Sequence, residues 1–277
     1  MNLNRKKMFT IIGIIAAALY LSASVCLYLY QDDLLYNPYD FEPEISLAKE
    51  DGLSNLEKVE YKSLDDINLY AWMQKPHSKN KKMILFLHGN SYNLSKFYKR
   101  LIPLANSGYG IFMAEYRGFG GNKGEIRQDN LEKDSVAALK YLNSIGYKNE
   151  DIIVYGFSLG TYMATNLVAT QNNNGKFNGL ILEAPFTSVL DIAKYEYGLL
   201  PVRFFLKDYY ESDKMINKIN TRLLIAHGTF DIVVPYFFGK QLFEKANEPK
   251  EFYSIPMGKH SNLSEYKLYN KIIEWIG

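Results

Sequence analysis

The chain has 277 residues, enough for one ordinary domain with short appendages. Its 47% hydrophobic and 22% charged residues exclude a disordered chain, and a formal net charge of +2 leaves no electrostatic footprint for nucleic acid. The single cysteine, Cys26, excludes an intramolecular disulfide and a cysteine-based zinc site.

The N-terminus carries the first signal. Arg5, Lys6 and Lys7 precede an uncharged stretch, Phe9–Tyr30, and Asp32 and Asp33 follow it. As a helix that stretch measures about 33 Å, enough to cross a hydrocarbon core of roughly 30 Å. Basic residues before the span and acidic ones after it predict a cytoplasmic N-terminus, with the remainder on the periplasmic or other extracytoplasmic side. A cleaved signal peptide and a lipid-modified Cys26 are the rival readings. The apolar run exceeds the usual signal-peptide length, and Ser24-Val25 is a poor lipoprotein context. Residues 1–30 are therefore expected to be a membrane anchor and 31–55, with Pro38 and Pro43, an extended connector.

From Leu56 to the end, strands and helices alternate. Leu56–Tyr61 and Ile67–Met73 predict two antiparallel strands, and Met83–Leu87 a strand buried on both faces. A helix over Tyr92–Asn106, a strand at Gly110–Ala114 and a helix over Asn130–Ile145 come next. A strand at Asp151–Tyr155 and a helix from Ser158 to Thr170 lead to strands near Leu180–Leu182, Leu223–Ala226 and Glu251–Ile255, and a helix over Leu263–Trp275 closes the series. Strands joined by such helices imply right-handed crossovers and a mostly parallel sheet, an α/β domain over 56–277. The aromatic-rich interval from Thr187 to Asn220 breaks the rhythm and predicts a short helical cap over one edge.

Gly156-Phe157-Ser158-Leu159-Gly160 matches the G-x-S-x-G pattern, in which a serine occupies a sharp strand-to-helix turn. The preceding buried strand and the following helix supply the setting the pattern requires. Ser158 is the expected nucleophile. His88-Gly89-Asn90 follows Met83–Leu87, the position that supplies a second oxyanion donor, so the N–H groups of Asn90 and Leu159 are the candidate oxyanion hole. The order serine, acid, histidine selects His260 as base and leaves His88 as a structural residue shaping the loop. Asp231, in the loop after Leu223–Ala226, is the expected acid, with Glu183 its competitor. His77 reads as solvated, and Asp191, Asp208 and Asp213 as solvated or capping charges. No metal or cofactor motif appears, and none is expected to be needed.

These residues resemble the α/β-hydrolase superfamily over roughly Leu56–Gly277, and within it a single-pass, membrane-anchored, bud-emergence-like branch. Gln31–Pro38, His88-Gly89-Asn90-Ser91, Tyr116-Arg117-Gly118-Phe119-Gly120 and Glu183–Ser188 carry that similarity. The resemblance implies a structural role for the Tyr-Arg-Gly-x-Gly segment and a triad of Ser158, Asp231 and His260. It also implies an acyl-ester or thioester substrate of lipid-like character, with serine aminopeptidases as near relatives. Three readings follow: an esterase, thioesterase or lipase-like enzyme; a serine peptidase; and a catalytically silent interaction module. An aromatic cap roofing an apolar acyl pocket is expected under the first.

Overall fold

Apolar runs that no solvent-facing surface could hold assemble into the central sheet. In the computed structural model, which describes residues 5–172 and 175–277, the N-terminal helix α1 (Arg5–Leu35) precedes ten strands. These are β1 (Asn37–Pro38), β2 (Glu57–Lys62), β3 (Asn68–Gln74), β4 (Met83–Leu87), β5 (Ser91–Tyr92), β6 (Gly110–Ala114), β7 (Ile152–Phe157), β8 (Gly179–Glu183), β9 (Leu223–Gly228) and β10 (Lys250–Ile255). Eight of them form one sheet in the order β10-β9-β8-β7-β4-β6-β3-β2, and β1 pairs with β5 separately. Only the pairings of β3 with β2 and β6 are antiparallel. The expected α/β class with a mostly parallel sheet is what the chain adopts.

Period-two alternation sends each strand's residues into two cores. Leu85, Leu87 and Val154 pack with α4 (Gln128–Ser144) and α5 (Leu159–Thr170) on one face. Ile84, Phe86, Ile153 and Tyr155 pack on the other with α3 (Ile102–Asn106) and the C-terminal helix α8 (Leu268–Ile276). The insertion contributes α6 (Val189–Glu196) and three 3-10 turns, and α7 (Tyr236–Lys245), which the sequence reading did not single out, follows β9.

Three expectations are corrected. The helix expected over Tyr92–Asn106 is broken into turns at Leu94–Lys96 and Tyr98–Arg100 before the short α3. Tyr92 adopts φ 68°, Asn93 accepts from the Ser95 amide, and Pro103 cannot donate to a continuous ladder. The closing helix is likewise interrupted at Lys267, whose φ of 62° lies in the left-handed region.

The segment 31–55 is not extended throughout, since it begins in α1 and carries the short helix α2 (Ser46–Glu50). α1 runs on to Leu35, Gln31 Oε1 accepts the Lys207 amide at 2.8 Å, and Tyr36 is buried with its hydroxyl 2.9 Å from Asp208 Oδ2. Ala48, in α2, and Leu53 are fully buried. Of the two roles expected for Asp208, solvated or capping, it takes the second: buried, it accepts the amide of Gln128, the first residue of α4, at 3.1 Å, whereas His77 is exposed as expected.

Candidate active site

The sheet order places a crevice beside β4. β6 pairs with β4 on one side and β7 on the other, so the loops leaving β4 and β7 diverge at the carboxyl ends of adjacent strands. His88-Gly89-Asn90 leaves β4 there, and Ser158 leaves β7.

Ser158 occupies a turn that its neighbours enforce. Its backbone sits at φ 52°, ψ −120°, an uncommon conformation for a residue with a side chain. A Cβ at Gly156 would lie 2.4 Å from the Gly160 carbonyl oxygen, and one at Gly160 would lie 2.0 Å from that of Leu87. Backbone thus approaches backbone on both sides of the turn, which is the physical reason for both glycines. The Thr161 amide and hydroxyl donate to Ser158 O at 2.9 and 2.6 Å, which locks the turn onto the first helical residues.

Three side chains from three loops converge. His260 Nε2 lies 3.0 Å from Ser158 Oγ, and His260 Nδ1 lies 2.8 Å from Asp231 Oδ2. The loops meet because β9 and β10 are parallel neighbours and Gly228 abuts Gly258. A Cβ at Gly228 would stand 2.2 Å from the Gly258 oxygen, and the Phe230 amide donates to that oxygen at 2.9 Å. The Gly228–Gly258 contact was not foreseen, although two glycines flanking the acid and base loops were its visible signal.

Asp231 is buried and densely hydrogen-bonded. Its Oδ1 accepts the Val233 and Val234 amides at 2.9 Å each, and His227 Nε2 lies 3.3 Å from Oδ2. Burial by itself would raise its pKa, but the bonds from His227 and His260, the His260 charge and the Val234 amide outweigh it. The group is held well below the usual carboxylate range. It is therefore an anion facing Nδ1, the arrangement that fixes an imidazole with Nε2 free to take a proton.

Glu183 does not reach His260. Fully buried, it receives Arg100 Nη1 at 2.5 Å and the Tyr155 hydroxyl, and its carbonyl accepts the Ser158 amide at 2.9 Å. Arg100 also lies over the Phe157 ring, 3.9 Å from its centroid. This pair, missed as a unit because 83 residues separate its members, forms the floor beneath the elbow.

His88 is fully buried, 2.8 Å from Glu115 Oε1 and stacked on Phe97. Glu115 Oε2 accepts the Leu94 amide at 2.9 Å, so the two side chains fix the β4 loop, as expected of a structural histidine. A Cβ on Gly89 would sit 3.3 Å from Ser158 Cβ, which brings this loop against the serine. The N–H groups of Asn90 and Leu159 find no acceptor among the described residues. The Asn90 side chain donates to Leu35 O at 2.5 Å, and the Asn90 backbone carbonyl accepts the Asn37 amide at 2.9 Å. Arg117, in the Tyr-Arg-Gly-x-Gly segment, is buried between Asp65 and Asp134, a structural placement.

A cleft of about 430 Å³ opens over Ser158 and His260, walled by Asn90, Lys96, Phe97, Arg100, Phe157 and Val233 among others. No residue of 187–220 lines it. The expected aromatic roof is thus corrected: the insertion packs on the end of α1, held by Gln31, Asp32 and Tyr36.

A mostly parallel sheet with a serine at a strained strand–helix turn defines the α/β-hydrolase class, and the chain belongs to the α/β-hydrolase family. The family model described as alpha/beta hydrolase fold matches residues 82–212. The chain is 32% identical to the alpha/beta hydrolase domain-containing protein WAV2 of Arabidopsis thaliana over 224 residues, 74% of this chain and 72% of that protein. It is 27% identical to YfhR of Escherichia coli strain K12 over 263 residues, 92% of this chain and 87% of that one. The lysophosphatidylserine lipase ABHD12 of Danio rerio is 33% identical over 199 residues, covering 65% and 51% of the two chains. Among solved structures, the Pyrococcus furiosus esterase Pf2001 has the same fold, with a TM-score of 0.69 at 20% identity over 88% of this chain and 98% of that one.

Proposed function

We propose that this hydrolase is a serine enzyme that cleaves carboxylic esters or thioesters of acyl, lipid-like substrates. The observation that carries the reading is the continuous Ser158–His260–Asp231 hydrogen-bond chain, at 3.0 and 2.8 Å. Ser158 Oγ attacks the carbonyl carbon as His260 Nε2 takes its proton, and the oxyanion rests on the Asn90 and Leu159 amides. His260 then protonates the leaving oxygen or sulfur. Water, deprotonated by the same imidazole, hydrolyses the acyl-enzyme and regenerates Ser158. Asp231, held ionised, orients the ring and balances its positive charge.

The cleft wall favours an ester over a peptide amine. Lys96, Lys99 and Arg100 line it, and no Asp or Glu does among the described residues, so a substrate ammonium group meets no carboxylate there. That an enzyme related to this chain carries the name lysophosphatidylserine lipase, and a fold neighbour the name esterase, agrees with this choice. α1 is read as a single-pass anchor with the Arg5–Lys7 cluster on the cytoplasmic side and the hydrolase domain opposite. Rates on p-nitrophenyl acyl esters and acyl thioesters against aminoacyl p-nitroanilides test the substrate class. Turnover of the anilides alone would overturn it.

A further inference from the structure

α1 is not merely a tether. Its last turns are fused to the hydrolase domain: the Asn90 side chain donates to Leu35 O, Asn37–Pro38 pairs with Ser91–Tyr92, and Tyr28 packs edge-on against Phe205 with ring centroids 6.3 Å apart. Lys207 Nζ and Arg127 Nη1 reach Asp32 as well. Tyr28 belongs to the apolar stretch Phe9–Tyr30, whose helical length of about 33 Å nearly equals a hydrocarbon core of roughly 30 Å. If α1 spans a bilayer, Phe205 therefore stands at the level where hydrocarbon meets headgroups.

Beyond that point the insertion leaves large apolar side chains uncovered among its exposed charges. Leu199 is 92% exposed and Phe204 83% exposed, on the insertion that holds α1. Tyr195 of the same insertion packs against Phe237 at 5.5 Å between centroids, and α7 leads back to the loop carrying Asp231. In that loop Ile232 is 87% exposed, and its neighbour Val233 lines the cleft over Ser158. Exposed apolar side chains thus stand on each element from the end of the anchor, through the insertion and α7, to the lip of the cleft. Large apolar side chains left in water at this density mark an interaction surface, and its continuity with the lipid-exposed helix identifies the medium that covers it.

We propose that the insertion and the Asp231 loop form a membrane-seating surface that rests in the headgroup region, so that the cleft takes its acyl substrate directly from the bilayer. The occupant is a phospholipid surface. This inference rests on the proposed anchor and acyl-transfer readings, and it specifies where the substrate resides. It also accounts for an insertion that leaves the cleft unroofed: the bilayer closes that side.

The test uses the full chain in phosphatidylcholine vesicles, with Cys26→Ser removing the native thiol. A fluorophore is placed singly at Phe204→Cys, at Tyr20→Cys within the apolar stretch, or at Ser144→Cys. Ser144 ends α4 and so lies toward the amino-terminal edge of the strands, away from the cleft. Lipids spin-labelled near the headgroup should quench the 204 label strongly and leave 144 unaffected, and lipids spin-labelled near the end of the acyl chain should quench the label at position 20. Quenching at 204 no greater than at 144, or none at 20, overturns the proposal whether or not the protein hydrolyses anything.

Activity supplies a second arm. The double variant Leu199→Ser/Phe204→Ser should keep wild-type hydrolysis of a water-soluble short-chain ester. It should lose on the order of tenfold or more against a long-chain ester embedded in vesicles, since two apolar contacts with lipid are removed. Equal rates on the embedded ester count against seating. A wild type inactive on both esters while 204 is quenched would instead sink the hydrolase reading and leave the surface in place.

Discussion

Arg100→Met should destabilise the domain severely, through the carboxylate it abandons. Arg100 and Glu183 are buried, with side chains 10% and 0% exposed, and Nη1 meets Oε1 at 2.5 Å. After the substitution, Glu183, itself fully buried, keeps the Tyr155 hydroxyl but loses its one counter-charge among the described residues. Breaking a buried pair from one side costs about 3–5 kcal/mol, because an ion stays uncompensated in low dielectric. For a domain of this size, each kcal/mol lowers Tm by roughly 2–4 °C, so a fall of about 6–20 °C is expected. Replacing both partners, Arg100→Met with Glu183→Leu, removes the charge as well as its partner and should recover most of the loss. Thermal and urea unfolding of the two singles and the double form a cycle whose coupling energy is the readout. A single Arg100→Met variant within about 0.5 kcal/mol of wild type would refute the reasoning.

Further outcomes follow from the same geometry. Asp231→Asn should abolish most ester hydrolysis, whereas Glu183→Gln should retain far more, as kcat measurements on the two variants would reveal. Because the folded Asp231 carboxyl lies below its ordinary value of 3.8, its contribution to folding is present above about pH 4 and is lost as pH falls through and below that value. The stability gap between wild type and Asp231→Asn, followed by urea unfolding, should therefore narrow on acidification; a gap that widens contradicts the assignment. Gly160→Ala should yield little folded protein, since its Cβ would meet the Leu87 oxygen at 2.0 Å, and a soluble, active variant would show that the turn can relax. A chain starting at Leu27 should hold its soluble-ester activity better than one starting at Tyr39. The latter loses the burial of Tyr36, roughly 1.5–3 kcal/mol for one large apolar side chain, and the Asn37 bond to Asn90. Equal thermal stability of the two would deny α1 its supporting role.

Legibility tracked the range of the interaction. Met83–Leu87 and Gly110–Ala114 were read with correct ends, because a strand buried on both faces has no polar position to blur it. Ser158, Asp231 and His260 could be named because a local turn pattern fixed the first, and chain order on this fold constrained the others. Tyr92–Asn106 misled because its hydrophobic spacing is helical, while distant Glu115, taking the Leu94 amide, helps hold it in turns. The insertion misled for a similar reason. Aromatic content announced a binding surface, but only the contacts of Gln31, Asp32 and Tyr36 decide that it faces α1 and leaves the cleft open. Arg100 with Glu183, and His88 with Glu115, were illegible as pairs because sequence carries no mark of which charges share a cavity.

Covalent capture of the nucleophile decides whether Ser158 carries the reaction. The full chain is treated with a fluorophosphonate, and the modified residue is located by peptide mass mapping. One adduct per chain is expected, on Ser158, absent from Ser158→Ala and formed very slowly in His260→Ala, since the serine needs its base to react. Undiminished labelling of Ser158→Ala, or a folded wild type that never reacts while still hydrolysing esters, would contradict that role.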